Sequence, residues 1–217
     1  MNKRILGFAL AVWWGVAGAG AAGTEPKNLS LLKEEVVAYV ESGRYDADVA
    51  GVAGEAEAWI VQRVKQGGGK LAAIFDVDET MLSNLPHMRG QDFGYQPVAW
   101  DAWVARAEGP VIAPVREVYR TARRLGVAVF YITGRREKDR VGTETNLKIV
   151  AVWDCVELVM KPDASRDTTE SFKTATRKRI SAAGYTIIVN IGDQESDLAG
   201  GYSERTFKLP APFYMTK

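Results

Sequence analysis

The chain has 217 residues, 47% of them hydrophobic and 25% charged, with 28 Lys and Arg against 27 Asp and Glu. That composition suits one globular unit with a sizeable core and excludes a disordered or fibrous chain. The balance of charge excludes a whole-molecule field that would steer the protein to nucleic acid or an anionic membrane, so any bound anion must be held locally.

The first residues differ from the rest. Met1-Asn2-Lys3-Arg4 is basic, Ile5 to Val16 is apolar, and Gly18 to Ala22 is small. This is the layout of a cleaved signal peptide over 1–22, ending after Ala21 or Ala22. An uncleaved anchor is the alternative, but roughly 18 residues broken by glycines is marginal for about 30 Å of hydrocarbon. The reading is a periplasmic or secreted protein with no stable membrane anchor and a single domain over 23–217. Cys155 is the only cysteine, which rules out an internal disulfide and a lipid-bearing cysteine near the leader. Its setting, Val152-Trp-Asp-Cys-Val-Glu-Leu-Val-Met160, predicts a small buried apolar residue.

Between Asn28 and Gln66, apolar spacing predicts two amphipathic helices joined near Ser42-Gly43-Arg44, an N-terminal helical extension. Leu71 to Phe75 reads as a strand covered on both faces, delivering Asp76. The polar, aromatic stretch 83–109 has no clean period of its own and reads as a small helical, aromatic insertion over the site. It holds Phe93, Tyr95, Trp100, Trp103 and the sole histidine, His87. A helix opens at Pro114 and stops at Gly126, and a second strand runs from Val127 to Ile132 into Thr133-Gly134-Arg135. A helix over 143–150, a strand near 156–160, a helix over 168–183, a strand over 185–191 and a short strand near 206–209 complete the chain. Strand and helix alternate at βαβ spacing, which predicts an α/β fold with a doubly wound, mostly parallel sheet. Ligands bind at the carboxyl ends of such strands, where every polar motif falls. The oligomeric state is not readable.

Four carboxylates stand out. Asp76 and Asp78, two apart in an extended chain, can face one substrate. One can attack phosphorus while the other protonates the leaving oxygen and later takes a proton from water. A calcium loop is excluded because Met81 stands where that loop needs glycine. Asp193 and Asp197 follow Gly192 where a strand turns into a helix, so one can ligate a metal while the other supports a neighbour. A simple helix cap by Asp193 is the alternative. Such an acidic cluster needs a cation, and hard oxygen ligands suit Mg²⁺. Thr133 and Gly134 offer a hydroxyl and an approachable backbone to phosphate oxygens. Lys173, in a basic helical run, reads by itself as part of a solvated face. The aromatics of the insertion either stack a nucleobase or aromatic leaving group or, the better reading, hold the insertion on the core.

Taken together these motifs resemble the haloacid dehalogenase (HAD) superfamily, and in detail its subfamily III B acid phosphatases, a branch that includes bacterial exported enzymes and plant acid phosphatases and vegetative storage proteins. The strings that carry the resemblance are Ser-Gly-Arg-Tyr (42–45), Phe-Asp-Val-Asp-Glu-Thr-Met-Leu-Ser-Asn (75–84), Tyr-Ile-Thr-Gly-Arg-Arg (131–136), Thr145-Asn146-Leu147, Trp153, Phe-Lys-Thr (172–174), Ile-Gly-Asp-Gln-Glu-Ser-Asp-Leu-Ala-Gly (191–200) and Phe-Lys-Leu-Pro (207–210). The resemblance implies a HAD-like Rossmannoid fold with Asp76 as nucleophile and Asp78 as general acid and base. Mg²⁺ would be held by Asp76, the Asp78 backbone carbonyl and Asp193. Thr133, Gly134 and Lys173 would bind the phosphoryl group, and Asp197 would orient Lys173 or the metal shell. The expected activity is hydrolysis of small phosphomonoesters with an acidic optimum, since Asp78 must begin protonated. A phosphotransferase using the same intermediate and a non-catalytic storage or binding homologue are the alternatives. Ala151 and Lys161 stand where the resemblance would place Gly and Arg.

Overall fold

The computed structural model describes residues 25–216; the predicted leader, 1–22, lies outside them. Two helices come first, α1 (Leu29–Glu41), capped by the Asn28 side chain accepting the Ser30 N–H at 2.9 Å, and α2 (Arg44–Val64), entered through Gly43 at φ 75°. There follow β1 (Lys70–Phe75), α3 (Leu85–Gly90), α4 (Pro97–Arg106), α5 (Ala113–Arg124), β2 (Ala128–Arg136), α6 (Arg140–Ile149), β3 (Glu157–Lys161), α7 (Thr169–Ala182), β4 (Tyr185–Gly192), α8 (Glu195–Leu198) and β5 (Thr206–Lys208).

The five strands form one sheet in the order β3-β2-β1-β4-β5, every pair parallel. From central β1 the chain winds to one side through β2 and β3, then crosses to the other through β4 and β5. The switch lies between β1 and β4, where such sheets open a crevice. Period-two alternation sends Ala73 and Phe75 into the larger core with α2 and α5, and Ala72 and Ile74 into the smaller one with Ile180 of α7. Burying a side chain such as Phe75 or Ile74 contributes about 1.5–3 kcal/mol. On α2 the buried stripe is Tyr45, Val49, Ala53, Ala56 and Ile60, the spacing of one helical face.

Two irregularities shape the sheet. On β4, Ile187 pairs with Ala72 and Val189 with Ala73, so Ile188 is left out of register; its carbonyl accepts the Trp59 indole N–H of α2 at 2.7 Å. On β2, Thr133 pairs with Met160 and Arg136 with Lys161, so Gly134 and Arg135 bulge out of the ladder. A bulge there re-aims a side chain.

The expected helical, aromatic insertion 83–109 contains two helices, α3 and α4, with Trp103 and Val104 buried. Two other expectations need correction. β2 continues through Thr133 to Arg136. Cys155 is only partly buried, at the edge of the larger core.

Ala151 occupies the left-handed region at φ 58°. The Val152 N–H donates to the Leu147 carbonyl at 3.0 Å and the Ala151 N–H to Lys148 at 3.1 Å, so α6 ends in a Schellman motif with alanine where glycine is preferred. A side chain in that conformation costs about 1 kcal/mol. Ala151→Gly should therefore stabilise the protein by about 0.5–1 kcal/mol in denaturant unfolding; a destabilised variant would contradict the cap geometry.

Candidate active site

The carboxyl ends of β1, β2 and β4 and the N-terminal part of α7 surround a cavity of about 360 Å³ whose wall includes Asp76, Asp78, Lys173, Asp193 and Asp197. Asp76 follows β1 and stays in the sheet, its N–H donating to the Ile191 carbonyl at 3.0 Å. Val77 is fully buried on the opposite side, so Asp76 and Asp78 face the cavity together, as alternation requires.

Lys173 is 3% exposed and donates to Asp76 Oδ1 at 2.5 Å and to Asp197 Oδ1 at 2.7 Å. Asp197 Oδ2 accepts the Gln194 N–H at 2.8 Å, so both its oxygens are engaged within the protein. A Cβ on residue 192 would lie 2.4 Å from Asp197 Cβ; glycine is what lets this carboxylate reach the strand end. From the next turn of α7, fully buried Arg177 donates to the carbonyls of Asp197 at 2.6 Å and Gly201 at 2.9 Å. The basic run thus divides, with Lys173 and Arg177 turned in and Lys178 and Arg179 turned out.

Carboxylate oxygens of Asp76, Asp193 and Asp197 lie within 4.8 Å of one another. Three carboxylates facing one ammonium leave two negative charges uncompensated, which a divalent cation matches. Burial, opposed by Lys173 and reinforced by Asp197 and Asp78, pushes the Asp76 carboxyl up to about 7. Asp193 is driven well above the usual range by burial and by Asp76 and Asp197. Its Oδ2 accepts from Gln194 Nε2 at 2.6 Å, whereas its buried Oδ1 has no hydrogen-bond partner among the described residues. An orphaned oxygen among crowded carboxylates fits a hard cation.

Asp78 has a different setting. Arg135, re-aimed by the β2 bulge, donates to Asp78 Oδ1 through Nε at 2.9 Å and Nη2 at 2.8 Å, and Asn84 Nδ2 adds a third bond at 2.8 Å. Burial would raise this carboxyl, but the Arg135 guanidinium and Asn84 outweigh it and hold it below its ordinary value. Arg135 is fixed by Thr143 Oγ1 at 3.1 Å and by the Trp100 ring, 5.2 Å from its guanidinium carbon. Fully buried Thr133 accepts the Arg135 N–H at 3.1 Å and places its hydroxyl 3.5 Å from Asp78 Oδ2. Gly134 and Arg135, with Thr133 beneath them, form the cavity wall at this strand end. Glu79, 1% exposed, accepts the Asn84 N–H at 2.5 Å, and burial and then Asp78 push it up to about 8.

Of the seven residues singled out from sequence, Asp76, Asp78, Gly134, Lys173, Asp193 and Asp197 line this cavity, and fully buried Thr133 lies behind its wall. Sequence reasoning missed Arg135, Asn84, Glu79, Gln194 and Tyr214, although Arg135 adjoins Thr133-Gly134 and Asn84 ends the first motif. Of the insertion aromatics, Trp103 is buried, its indole donating to Asn84 Oδ1 at 2.8 Å, and Phe93 stacks on Phe213. Those two hold the insertion in place, while Tyr95 and Trp100 line the mouth. Lys161 is buried and donates to the Asp167 carbonyl.

A family model described as HAD superfamily, subfamily IIIB (acid phosphatase) matches residues 19–217. Acid phosphatase 1 of Solanum lycopersicum is 34% identical over 202 residues, 88% of this chain and 79% of that protein. Vegetative storage protein 1 of Arabidopsis thaliana is 34% identical over 145 residues, 65% of this chain and 54% of its own length. Among solved structures, the class C acid phosphatase from Bacillus anthracis, also determined with tungstate bound, superposes with a TM-score of 0.71 at 20% identity over 86% of this chain and 87% of that one.

Asp76 and Glu79 are raised relative to an unfolded chain, so the stability they contribute is full below the ordinary carboxylate pKa and is lost as pH rises through about 7 and 8. Depressed Asp78 acts in the opposite sense, but its contribution is already complete above about pH 5. The melting temperature of chelator-treated protein should therefore fall between about pH 5 and pH 8.5, and Glu79→Gln should flatten the upper part of that fall. A profile rising across the window would contradict these assignments.

Proposed function

The chain belongs to the HAD superfamily, subfamily IIIB acid phosphatases, and from that premise we propose that it is an exported, Mg²⁺-dependent phosphomonoesterase acting through an aspartyl-phosphate on Asp76. The observation that carries the reading is the pairing, in one cavity, of Asp76 held by buried Lys173 with an Asp193 oxygen that has no partner among the described residues. Export rests on the leader-like composition of residues 1–22, with a periplasmic or secreted product.

Asp76 attacks phosphorus as the bond to the leaving oxygen breaks, and Asp78 gives that oxygen its proton. Asp78, now a carboxylate, takes a proton from water, whose oxygen attacks phosphorus. The bond to Asp76 breaks and inorganic phosphate leaves. Thr133 and the Gly134 backbone hold phosphoryl oxygens, and Lys173 offsets their charge, itself held by Asp197. Asp76, Asp193 and the Asp78 carbonyl would hold Mg²⁺, which when bound offsets charge on the phosphoryl oxygens. Because Arg135 holds the Asp78 carboxyl low, its protonated form gains population only on the acid side, which supports an acidic optimum. A small phosphomonoester is the expected substrate.

A storage or binding role is the competing reading, prompted by relatives of that name; intact Asp76 and Asp78 speak against it. Release of phosphate from p-nitrophenyl phosphate with and without chelator separates the two. Turnover should depend on Mg²⁺, be inhibited by tungstate and fall at least about 10³-fold in Asp76→Asn. Near-normal activity in that variant would remove Asp76 as nucleophile. Arg135→Met should move the basic limb of the kcat/KM profile for glycerol phosphate to higher pH, because Asp78 loses the guanidinium that holds its carboxyl low. An unmoved limb would detach Arg135 from the acid role of Asp78.

A further inference from the structure

After β5 the chain returns to the site, and residues 213–216 lie along its Asp193 side. Phe213 anchors this strap, its ring 5.2 Å from that of Tyr45 and 6.4 Å from that of Phe93. The Tyr214 hydroxyl lies 3.3 Å from Glu79 Oε2. Between the strap and Asp193 stands Gln194, 6% exposed. Its Nε2 donates to Asp193 Oδ2 at 2.6 Å and lies 3.4 Å from the Tyr214 carbonyl, while its Oε1 accepts the Thr216 N–H at 3.0 Å.

These contacts agree on one orientation of the amide. Turned over, it would set a carbonyl oxygen against a carboxylate and a carbonyl, and an NH₂ group against the Thr216 N–H. The strap thereby decides which end of Gln194 meets Asp193. With Oδ2 taken, Oδ1 is the oxygen left without a partner among the described residues. Gln194 also takes part in a capping box with Asp197 at the start of α8, but a cap alone does not require the Thr216 bond.

We propose that Gln194, locked by the 213–216 strap, is a positioning residue for Asp193 and sets the affinity of the site for its divalent cation. This rests on the reading of Asp193 as a metal ligand. Residues that orient a metal ligand from outside the ligand set typically change affinity 10–100-fold when replaced.

The test is calorimetric titration of Mg²⁺ into metal-stripped full-length wild type, Gln194→Met and Thr216→Pro, the last of which keeps the glutamine and removes the N–H that orients it. Mg²⁺ binding should weaken at least about tenfold in Gln194→Met and by a smaller factor, about threefold, in Thr216→Pro. Phosphatase activity of both variants should recover at saturating Mg²⁺, and the metal-free melting temperature of Thr216→Pro should match wild type. Unchanged Mg²⁺ affinity in Thr216→Pro overturns the role of the strap even if Gln194→Met fails to fold, and so does an activity loss that excess Mg²⁺ does not restore. A wild type that binds no Mg²⁺ overturns the metal centre itself, and with it this inference; a wild type that binds while both variants bind equally well overturns the inference alone.

Discussion

One buried ammonium organises the site. Lys173 lies between Asp76 and Asp197, and without it three buried carboxylates at the ends of β1 and β4 would face one another uncompensated. Removing one partner of such a buried group leaves the others uncompensated, at a cost of several kcal/mol. The sheet order makes the meeting possible, because β1 and β4 are hydrogen-bonded neighbours although more than a hundred residues separate them. Arg177, one turn along α7, ties the same helix to the carbonyls that follow Asp193, so the ammonium and its acceptors are fixed by a shared support.

Asp78 sits across the cavity under another regime. Arg135 and Asn84 balance its charge from within the protein, so this carboxylate needs no cation. Two carboxyl groups separated by a single residue are thereby driven apart, Asp76 upward and Asp78 downward. An ionised nucleophile and a protonated acid need the reverse order, and a divalent cation held by Asp76 would favour the ionised carboxylate on that side. The device that creates the difference is the β2 bulge, which spends two residues out of the ladder to bring a guanidinium over Asp78.

Legibility in the sequence followed locality. Short apolar runs closed by polar residues marked each of the strands β1 to β4, and period-two spacing was enough to place Asp76 and Asp78 on one side. Lys173 was legible only through resemblance, since its neighbours Lys178 and Arg179 are solvent-facing and the composition of the helix does not distinguish them. Arg135 stood next to a recognised motif, yet its direction depends on a register shift against β3 that no local pattern encodes. Gln194 and Tyr214 acquire their partners through the returning chain end, a tertiary event. The helices of 83–109 were expected as a group but could not be bounded, because six and ten residues barely complete the turns a period needs.

The N-terminal helices look like an appendage when the chain is read from its first motif, but α2 lays Val49, Ala53, Ala56 and Ile60 against the sheet and Trp59 satisfies the carbonyl left over at Ile188. That carbonyl lies four residues before Gly192, on the strand that carries Asp193. Pruning the polypeptide to a unit beginning at β1 would strip α2 from beside α5 on one face of the sheet and leave the Ile188 carbonyl without its indole partner. The smallest autonomous piece of this molecule thus starts well upstream of its earliest reactive side chain.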